Sequence, residues 1–287
     1  MKKVLLITFA LLILVGCSGE KGYSKLTEGE DIIFKSPDKT YTKNDLYDVL
    51  KVSSEQSIEN DLLKRIATKL NVDFSKAEEE AQSTVDMYTS MGYEQLILQQ
   101  YGSIEAFKEM YMYSGILNEL AKLYVEDNYN DFVKQDKPVK MQLARFDVLE
   151  NAEKLIKDVE NGSTFETAAA NNGYETECTP AVFLDSDDLA LAVKNYLNET
   201  DTEGLSKVIT DTNTSQDADG NDVTTETYYV VNIVSRNVDD YIDDYKAVKA
   251  ENVDLEEVKT YMFKNHDIEF YDQDIYEIMK AKYEVLQ

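Results

Sequence analysis

The chain has 287 residues and a formal net charge of −27, because 56 Asp and Glu side chains outnumber 29 Lys and Arg side chains. Hydrophobic residues make up 43% of the chain, so it can bury a core and does not have the composition of a disordered acidic tail. Its charge would be repelled by phosphate backbones, and we therefore expect no nucleic-acid partner. The single histidine, His266, excludes sites built on two histidines, which include most zinc centres.

Residues 1–16 have the pattern of an export signal peptide. Two lysines precede an apolar run over 4–15, which is shorter than the roughly 20 residues that a membrane-spanning helix needs. The segment 14–17, Leu-Val-Gly-Cys, resembles the lipobox of bacterial lipoproteins. This resemblance implies lipidation of Cys17, a lipidated tether over 17–30 and a location at the extracytoplasmic face of the cell membrane. A plain secreted protein with an incidental Cys17 is the alternative.

Helical patterns dominate the chain after the tether and a short predicted strand at 32–34. Thr42 and Asp45 are spaced as a capping box and predict the start of a helix. A second helix follows, a third is predicted to open with a capping sequence at Ser75, and Ser103 is the expected cap of a further long helix. The apolar stripe of the second helix repeats every four residues and comprises Ile58, Leu62, Ile66 and Leu70.

After Pro138 the pattern changes to strands and short helices. Strands are predicted over 139–149 and 224–234, the second of which is rich in β-branched and aromatic residues. Short helices are predicted at 152–159, 165–169 and 186–197. From residue 238 the helical pattern returns, interrupted by a possible strand at 268–270, and Asp272 is the expected cap of the last helix. The middle of the chain is therefore a small α+β module between helical flanks.

Several segments together resemble PrsA-type foldase lipoproteins of Gram-positive bacteria and, more distantly, SurA-like periplasmic chaperones. They are 39–47, the run Gly162 to Phe165 with Ala169, 204–208, 228–231 and 268–283. The resemblance implies an α+β fold with a mostly helical, SurA-like chaperone lobe formed by both chain ends, 31–137 and 238–287. It also implies a small parvulin-like α+β domain inserted at 138–237. A homodimer is a further possibility that the resemblance raises.

The parvulin-like part departs from the family pattern where catalysis would occur. Active parvulins carry one histidine in the first strand and one in the last, whereas Leu143 or Ala144 and then Tyr229 lie near those places here. Phe183 falls in the stretch that replaces the expected glycine pair and aromatic residue. We therefore name no catalytic residue and predict a degenerate parvulin-like groove at Leu143, Phe183 and Tyr229. Peptidyl-prolyl isomerase activity stays open.

A cluster of methionines and tyrosines in the N-terminal helices suggests a surface for unfolded chains. Methionine is flexible and polarizable, and tyrosine combines an apolar body with a polar tip, so both suit a sequence-tolerant surface. The alternative is that these side chains fill the core between the helices. The predicted client-binding residues are Met87, Tyr88, Met91, Met110, Tyr111, Tyr113 and Tyr124.

The function expected from these features is that of a membrane-anchored chaperone or foldase for exported proteins. No phosphate-binding glycine loop is present, so we expect no ATP and no other cofactor. A calcium loop starting at Asp217 fails because its sixth and twelfth positions are Asp222 and Tyr228 rather than Gly and Glu. No metal is therefore expected. An active prolyl isomerase is one alternative. A solute-binding lipoprotein of a transporter is another, which only 11 glycines and long helices disfavour.

Overall fold

The computed structural model describes residues 28–174, 178–216 and 220–286. The signal peptide, Cys17, the tether up to residue 27 and the acidic turn at Asp217 lie outside the described residues. Twelve α-helices and seven β-strands occur in the described parts, which confirms the predicted α+β class.

The described residues form two compact units. The helical unit consists of two separate segments, 28–121 and 254–286, and the sheet unit is the segment 122–253 between them. The domain prediction assigned 122–137 and 238–253 to the helical lobe, whereas here both stretches cluster with the sheet.

A hairpin and a capped helix begin the helical unit. Strands β1 (Ile32–Lys35) and β2 (Thr40–Thr42) pair antiparallel and lead into helix α1 (Lys43–Ser53). Thr42 Oγ1 accepts a hydrogen bond from the Asp45 backbone N–H at 3.3 Å. The Thr42 N–H donates to the Asp45 carboxylate at 2.8 Å in return. The predicted capping box is therefore present, because both groups belong to one short stretch of chain.

Long helices build the rest of this unit. They are α2 (Glu55–Lys69), α3 (Ser75–Ser90), α4 (Glu94–Tyr101), α11 (Leu255–Asn265), α12 (Gln273–Lys282) and the part of α5 (Ile104–Asp127) up to residue 121. Helices α3 and α5 approach closely at Gly115, where an added Cβ would lie 2.3 Å from the Cβ of Ala77. Asp272 caps α12 as predicted, since its carboxylate accepts the Ile275 N–H at 3.0 Å.

The sheet unit is built on one antiparallel sheet. Its strand order is β4 (Ala181–Phe183), β3 (Val139–Phe146), β7 (Asp222–Ser235) and β5 (Gly204–Leu205), and β6 (Ile209–Gln216) also pairs with β7. Around it lie α6 (Tyr129–Asp136), α7 (Leu149–Glu160), α8 (Phe165–Asn171), α9 (Leu191–Glu199), a 3₁₀ helix (Val238–Tyr241) and α10 (Ile242–Asn252).

Both faces of this sheet are covered by apolar clusters. Ala144, Phe146 and Val230 pack on one face against α7, α8 and the buried Cys178. Met141, Val231 and Ile233 pack on the other face with Val193 of α9. This division follows from the alternation of side chains along β3 and β7.

Several element predictions were wrong in detail. Helix α2 buries Leu63, Ile66 and Ala67. The buried stripe therefore shares Ile66 with the predicted one but does not include Leu70, which is 40% exposed. Ser75 does not cap α3, because the carboxylate of Asp73 accepts the Ser75 N–H.

Two further predictions failed because of how the chain is bonded locally. Helix α9 begins at Leu191 rather than near 186, because the Asp187 side chain accepts the Leu184 N–H and holds a turn there. Residues 268–270 form no strand, since no described strand pairs with them.

Candidate functional site

The three predicted groove residues lie on one face of the sheet. Leu143 of β3 and Tyr229 of β7 occupy neighbouring cross-strand pairs, because Leu143 is opposite Val231 and Arg145 is opposite Tyr229. Phe183 of β4 joins them, and all three are half-buried against the apolar cluster that includes Val193. The fold thus brings together residues that are up to 86 positions apart in the chain.

On the opposite face of the sheet lies a buried amide network that the sequence reasoning missed. The Gln142 side chain donates to the Cys178 carbonyl oxygen at 2.8 Å and to Glu166 Oε1 at 2.6 Å. Its carbonyl accepts from Asn232 Nδ2 at 2.7 Å. Gln142 and Asn232 form a cross-strand pair in the middle of the sheet. Gln142 stands between Met141 and Leu143, and Asn232 between Val231 and Ile233, which was the available signal, because a buried polar group needs partners.

This network has the hydrogen-bonding capacity of a polar centre but not its acid–base chemistry. An amide both donates and accepts, yet it does not change its protonation state near neutral pH, unlike an imidazole. Leu143 and Ala144 add no polar group on β3. The two amides can therefore hold a segment such as Cys178 in place, and the ionisable group in their network is the Glu166 carboxylate.

Cys178 is buried and does not supply a nucleophile. Burial raises the pKa of its thiol to about 11, and the nearby charge of Glu166 adds to this shift. The thiol is therefore protonated at neutral pH, whereas the thiolate is the reactive form. His266 ends α11, where its Nδ1 lies 2.8 Å from the Met262 carbonyl oxygen.

In the helical unit, the predicted client-binding residues divide into exposed and packed members. Met87, Met91 and Met110 are exposed. Tyr88 and Tyr111 are half-buried, and their rings lie 5.4 Å and 5.0 Å from the ring of Phe107. Tyr88 and Tyr111 thus fill an aromatic cluster, as the core alternative expected.

The remaining two tyrosines belong elsewhere. Tyr113 donates a hydrogen bond to Glu59 Oε1 at 3.2 Å, which is a structural contact. Tyr124 falls in the sheet unit, where its ring packs on Phe132 at 5.4 Å. The predicted set is therefore not one surface.

Four large apolar side chains are exposed close together in sequence at the junction of α3 and α4. Met87 and Met91 lie one helical turn apart on α3 and are 46% and 61% exposed. Gly92, with a φ of +82°, reverses the chain so that Tyr93 and Leu96 follow at once at the start of α4. We define these four exposed side chains, Met87, Met91, Tyr93 and Leu96, as the α3–α4 patch.

A second feature of the helical unit is a cavity of about 290 Å³ lined by α2 and α5. Met110, Met112 and Ile116 provide apolar lining from α5. Asn60 and Asp61 provide polar lining from α2. Its size and mixed lining suit one side chain rather than a folded partner.

Close to this cavity lies Glu59, a buried carboxylate with 0% exposure. Lys259 Nζ lies 2.9 Å from one oxygen and Lys282 Nζ lies 2.6 Å from the other. The Tyr283 hydroxyl also donates to Glu59, at 2.6 Å. Burial alone would raise the pKa of Glu59, but these hydrogen bonds outweigh burial and lower the pKa to about 2. Glu59 is therefore ionised and joins the two segments of the helical unit.

No protein-family model and no curated protein sequence matches the chain. Solved structures do match. The chain is similar to PrsA foldases. The structure of foldase protein PrsA from Streptococcus pneumoniae is 18% identical, with a TM-score of 0.44 over 88% of this chain and 100% of that chain. The PrsA peptidylprolyl isomerase from Bacillus cereus is 13% identical, with a TM-score of 0.43 over 88% and 99%.

A third PrsA structure, the foldase protein from Lactococcus lactis, is 14% identical, with a TM-score of 0.42 over 88% of this chain and 99% of that chain. These neighbours are the same kind of protein that the sequence segments resemble.

Neither a membrane-spanning helix nor a metal-binding cluster is found in the parts of the chain that the structure describes. Among residues 28–174, 178–216 and 220–286, no helix combines the length and apolar character needed to cross a membrane. Within the same ranges, no group of three His, Cys, Asp or Glu side chains is arranged to hold a metal ion.

Proposed function

We propose that the chain is a membrane-anchored extracytoplasmic chaperone that assists the folding of exported proteins. The observation that carries this proposal is the α3–α4 patch, where four large apolar side chains are exposed together. Exposed apolar groups that lie side by side mark interaction surfaces more often than isolated ones do.

The chemistry of the patch suits transient binding of partly folded chains. Its two methionines have flexible, polarizable side chains that adapt to different partners. The aromatic cluster behind it holds the backbone in place, since Tyr88 packs against both Tyr93 and Phe107. Burial of apolar area stabilises a complex by about 25 cal/mol per Å², so a patch of a few side chains binds weakly and releases readily.

The module proposed at 138–237 would be parvulin-like in layout but inactive or weak in catalysis. Prolyl isomerisation has a barrier of about 20 kcal/mol, and an isomerase must stabilise a twisted amide through polar groups in its pocket. The face with Leu143, Phe183 and Tyr229 offers apolar contact, and the amide network lies among the inner residues of the sheet. This arrangement favours peptide binding without acid–base assistance.

Anchoring belongs to the same proposal. Acylation of Cys17 would hold the protein at the extracytoplasmic face of the membrane, with residues 17–30 as a tether. A homodimer is compatible with this arrangement, and analytical ultracentrifugation of residues 18–287 would detect it.

The first experiment separates chaperone from isomerase activity. Residues 18–287, which include both compact units, are added to an unfolded client whose refolding is limited by proline isomerisation. We expect substoichiometric protein to leave the slow phase unchanged and stoichiometric protein to suppress client aggregation. Acceleration of the slow phase would instead support the active isomerase.

A double variant, Met87→Gln with Met91→Gln, tests the α3–α4 patch itself. Both side chains are exposed, so stability should change by less than about 0.5 kcal/mol, while suppression of aggregation should fall at least twofold. Leu255→Gln is the matched control, because Leu255 is an exposed apolar residue of the same unit outside the patch. Full suppression by the double variant would contradict the proposal.

A further inference from the structure

A second cavity, of about 310 Å³, lies in the sheet unit. Its lining comes from the start of β3, the end of β4, helix α9 and the residue that follows β7. These elements are distant in sequence, so the cavity is a product of the tertiary fold. Its volume corresponds to one or two side chains of a ligand rather than a folded partner.

One wall of this cavity is apolar and continues a surface already described. Val139, Phe183, Leu189 and Leu197 line the cavity and also belong to the apolar cluster on which Leu143 and Tyr229 pack. Phe183 therefore takes part in both the proposed groove and the cavity. A peptide lying on this face of the sheet could place one side chain into the cavity.

Three cations, Lys137, Lys194 and Arg236, line the same cavity. Among the described residues, the side chains of these three cations form no ion pair, and the carboxylate of Glu203 accepts only the Arg236 backbone N–H, at 2.9 Å. Two acids, Asp185 and Asp201, line the cavity without pairing with them. In a chain with almost twice as many acids as bases, three such cations around one cavity form a local site for a negative charge.

The guanidinium of Arg236 is the least satisfied of these groups. Its Nη2 donates to the Leu197 carbonyl oxygen at 2.9 Å. Its Nε is buried and has no hydrogen-bond partner within the described parts of the chain. A buried donor without a partner costs free energy, which an anionic acceptor in the cavity would recover. Lys194 makes only a 3.4 Å contact to the Asp185 carbonyl oxygen, so its ammonium also retains donors.

We propose that this cavity binds a carboxylate of a client peptide, next to an apolar residue of the same peptide. The inference rests on the proposed chaperone function and names a class of client segment for it. The apolar wall selects a peptide over a free inorganic anion, because an inorganic anion would gain nothing from Phe183 and Leu189. Such a site lets a strongly acidic protein retain acidic segments that its overall charge would otherwise repel.

The test uses fluorescein-labelled peptides and residues 18–287 of the protein, with binding measured by fluorescence anisotropy. One peptide, Gly-Ala-Phe-Leu-Glu-Ala, is amidated at its C-terminus, and a second carries Gln in place of Glu. A third is the Gln peptide with a free C-terminal carboxylate. The first and third peptides separate a side-chain carboxylate from a terminal one as the bound group.

We expect the Glu peptide to bind at least fivefold more tightly than the amidated Gln peptide, since a charge-assisted hydrogen bond is worth roughly that factor or more. Lys194→Gln with Arg236→Gln should remove most of this difference. The double variant Lys137→Gln with Lys194→Gln is a second test of the same loss of preference. It leaves the hydrogen bond from Arg236 to the Leu197 carbonyl oxygen intact, so we expect it to keep the fold. Lys154→Gln, an exposed lysine of α7 outside the cavity, should change nothing.

Equal affinities for the Glu and amidated Gln peptides would overturn the inference, as would the absence of any binding of the Glu peptide. Suppression of client aggregation is measured on the same samples. If suppression persists while the carboxylate preference is absent, the inference fails and the chaperone proposal stands. If suppression is absent from the wild-type protein, the chaperone proposal itself fails.

Discussion

Each compact unit buries one carboxylate and binds it with lysine and tyrosine side chains from a distant part of the chain. In the helical unit, Glu59 contacts two ammonium groups, Lys259 and Lys282. In the sheet unit, Asp136 contacts only Lys249, at 3.0 Å, and accepts a hydrogen bond from Tyr245 at 2.9 Å. Both units therefore contain a buried carboxylate paired with lysine, with two lysines in the helical unit and one in the sheet unit.

The units also differ in which kind of side chain they leave without a partner. The helical unit pairs its buried charges and exposes apolar side chains at the α3–α4 patch. The sheet unit covers both faces of its sheet with apolar clusters and leaves cations without ion pairs around its cavity. Under the two proposals above, the helical unit would bind apolar client segments and the sheet unit would bind client carboxylates.

The largest expected effect is the loss of the Glu59 carboxylate. Glu59→Ala leaves Lys259 and Lys282 without their shared partner, and removal of one side of a buried ion pair costs about 3–5 kcal/mol. Urea unfolding measures the loss, and hydrogen exchange of α2 and α12 locates it in the helical unit. Glu79→Ala, at an exposed position on α3, is the control and should cost less than about 0.5 kcal/mol. Equal losses in the two variants would refute the role of Glu59.

Acid should remove the same stabilisation without any mutation. The pKa of Glu59 is lowered from 4.5 to about 2 in the folded protein, so its ionised form stabilises the fold above the unfolded-state pKa. This contribution is complete above about pH 4.5 and is lost as the pH falls toward 2, a change of about 3 kcal/mol. Urea midpoints of the wild type and Glu59→Gln, compared from pH 6 to 2, should converge. A constant difference over that range would count against the pKa shift.

A smaller loss is expected from Asp136→Ala in the sheet unit. Only one ammonium is left without its partner, and the Lys249 side chain retains 12% exposure, so water replaces part of the contact. The expected cost is about 2–3 kcal/mol, seen as faster hydrogen exchange in β3 and β4. Asp131→Ala on the same helix breaks only an exposed pair with Lys134 and should cost less than about 1 kcal/mol. If Asp136→Ala lost more stability than Glu59→Ala, the expectation that the helical unit depends more on its buried carboxylate would be wrong.

The smallest effect is expected from Tyr113→Phe. This change removes one hydrogen bond to Glu59 and should cost about 1 kcal/mol, because both lysines remain in contact with the carboxylate. Suppression of client aggregation should be unchanged, since the hydroxyl faces the buried network. If the variant suppressed client aggregation less well at unchanged stability, Tyr113 would instead belong to the client-binding surface.

Features set by neighbouring residues were predictable from the sequence. The capping box of Thr42 and Asp45 and the cap at Asp272 are present because donor and acceptor lie three residues apart. The β-branched and aromatic run near the C-terminal end of the sheet unit forms strand β7, as its composition indicated. Prediction failed where two nearby residues could serve as the cap. Ser75 was the predicted cap of α3, but the carboxylate of Asp73 accepts the hydrogen bond from the Ser75 N–H.

The candidate sites were only partly predictable. Met87 and Met91 are exposed together as a client surface would require, but Tyr113 and Tyr124 point to other roles that depend on Glu59 and Phe132. Nothing in the local sequence separated these cases. An exposed and a packed tyrosine have the same spacing along a helix, and the difference lies in which other segment covers them.

By itself, the sequence determined the α+β class, the caps at Thr42 and Asp272, the strongest strand and the absence of a histidine pair, because these depend on composition and on short-range hydrogen bonding. The tertiary structure decided which polar residues are buried. Glu59 and Lys282 are 223 positions apart, and Gln142 and Asn232 are 90 apart. A carboxylate or amide is buried without a large cost only when its partners arrive from such distant segments, so its role becomes visible only in the folded chain.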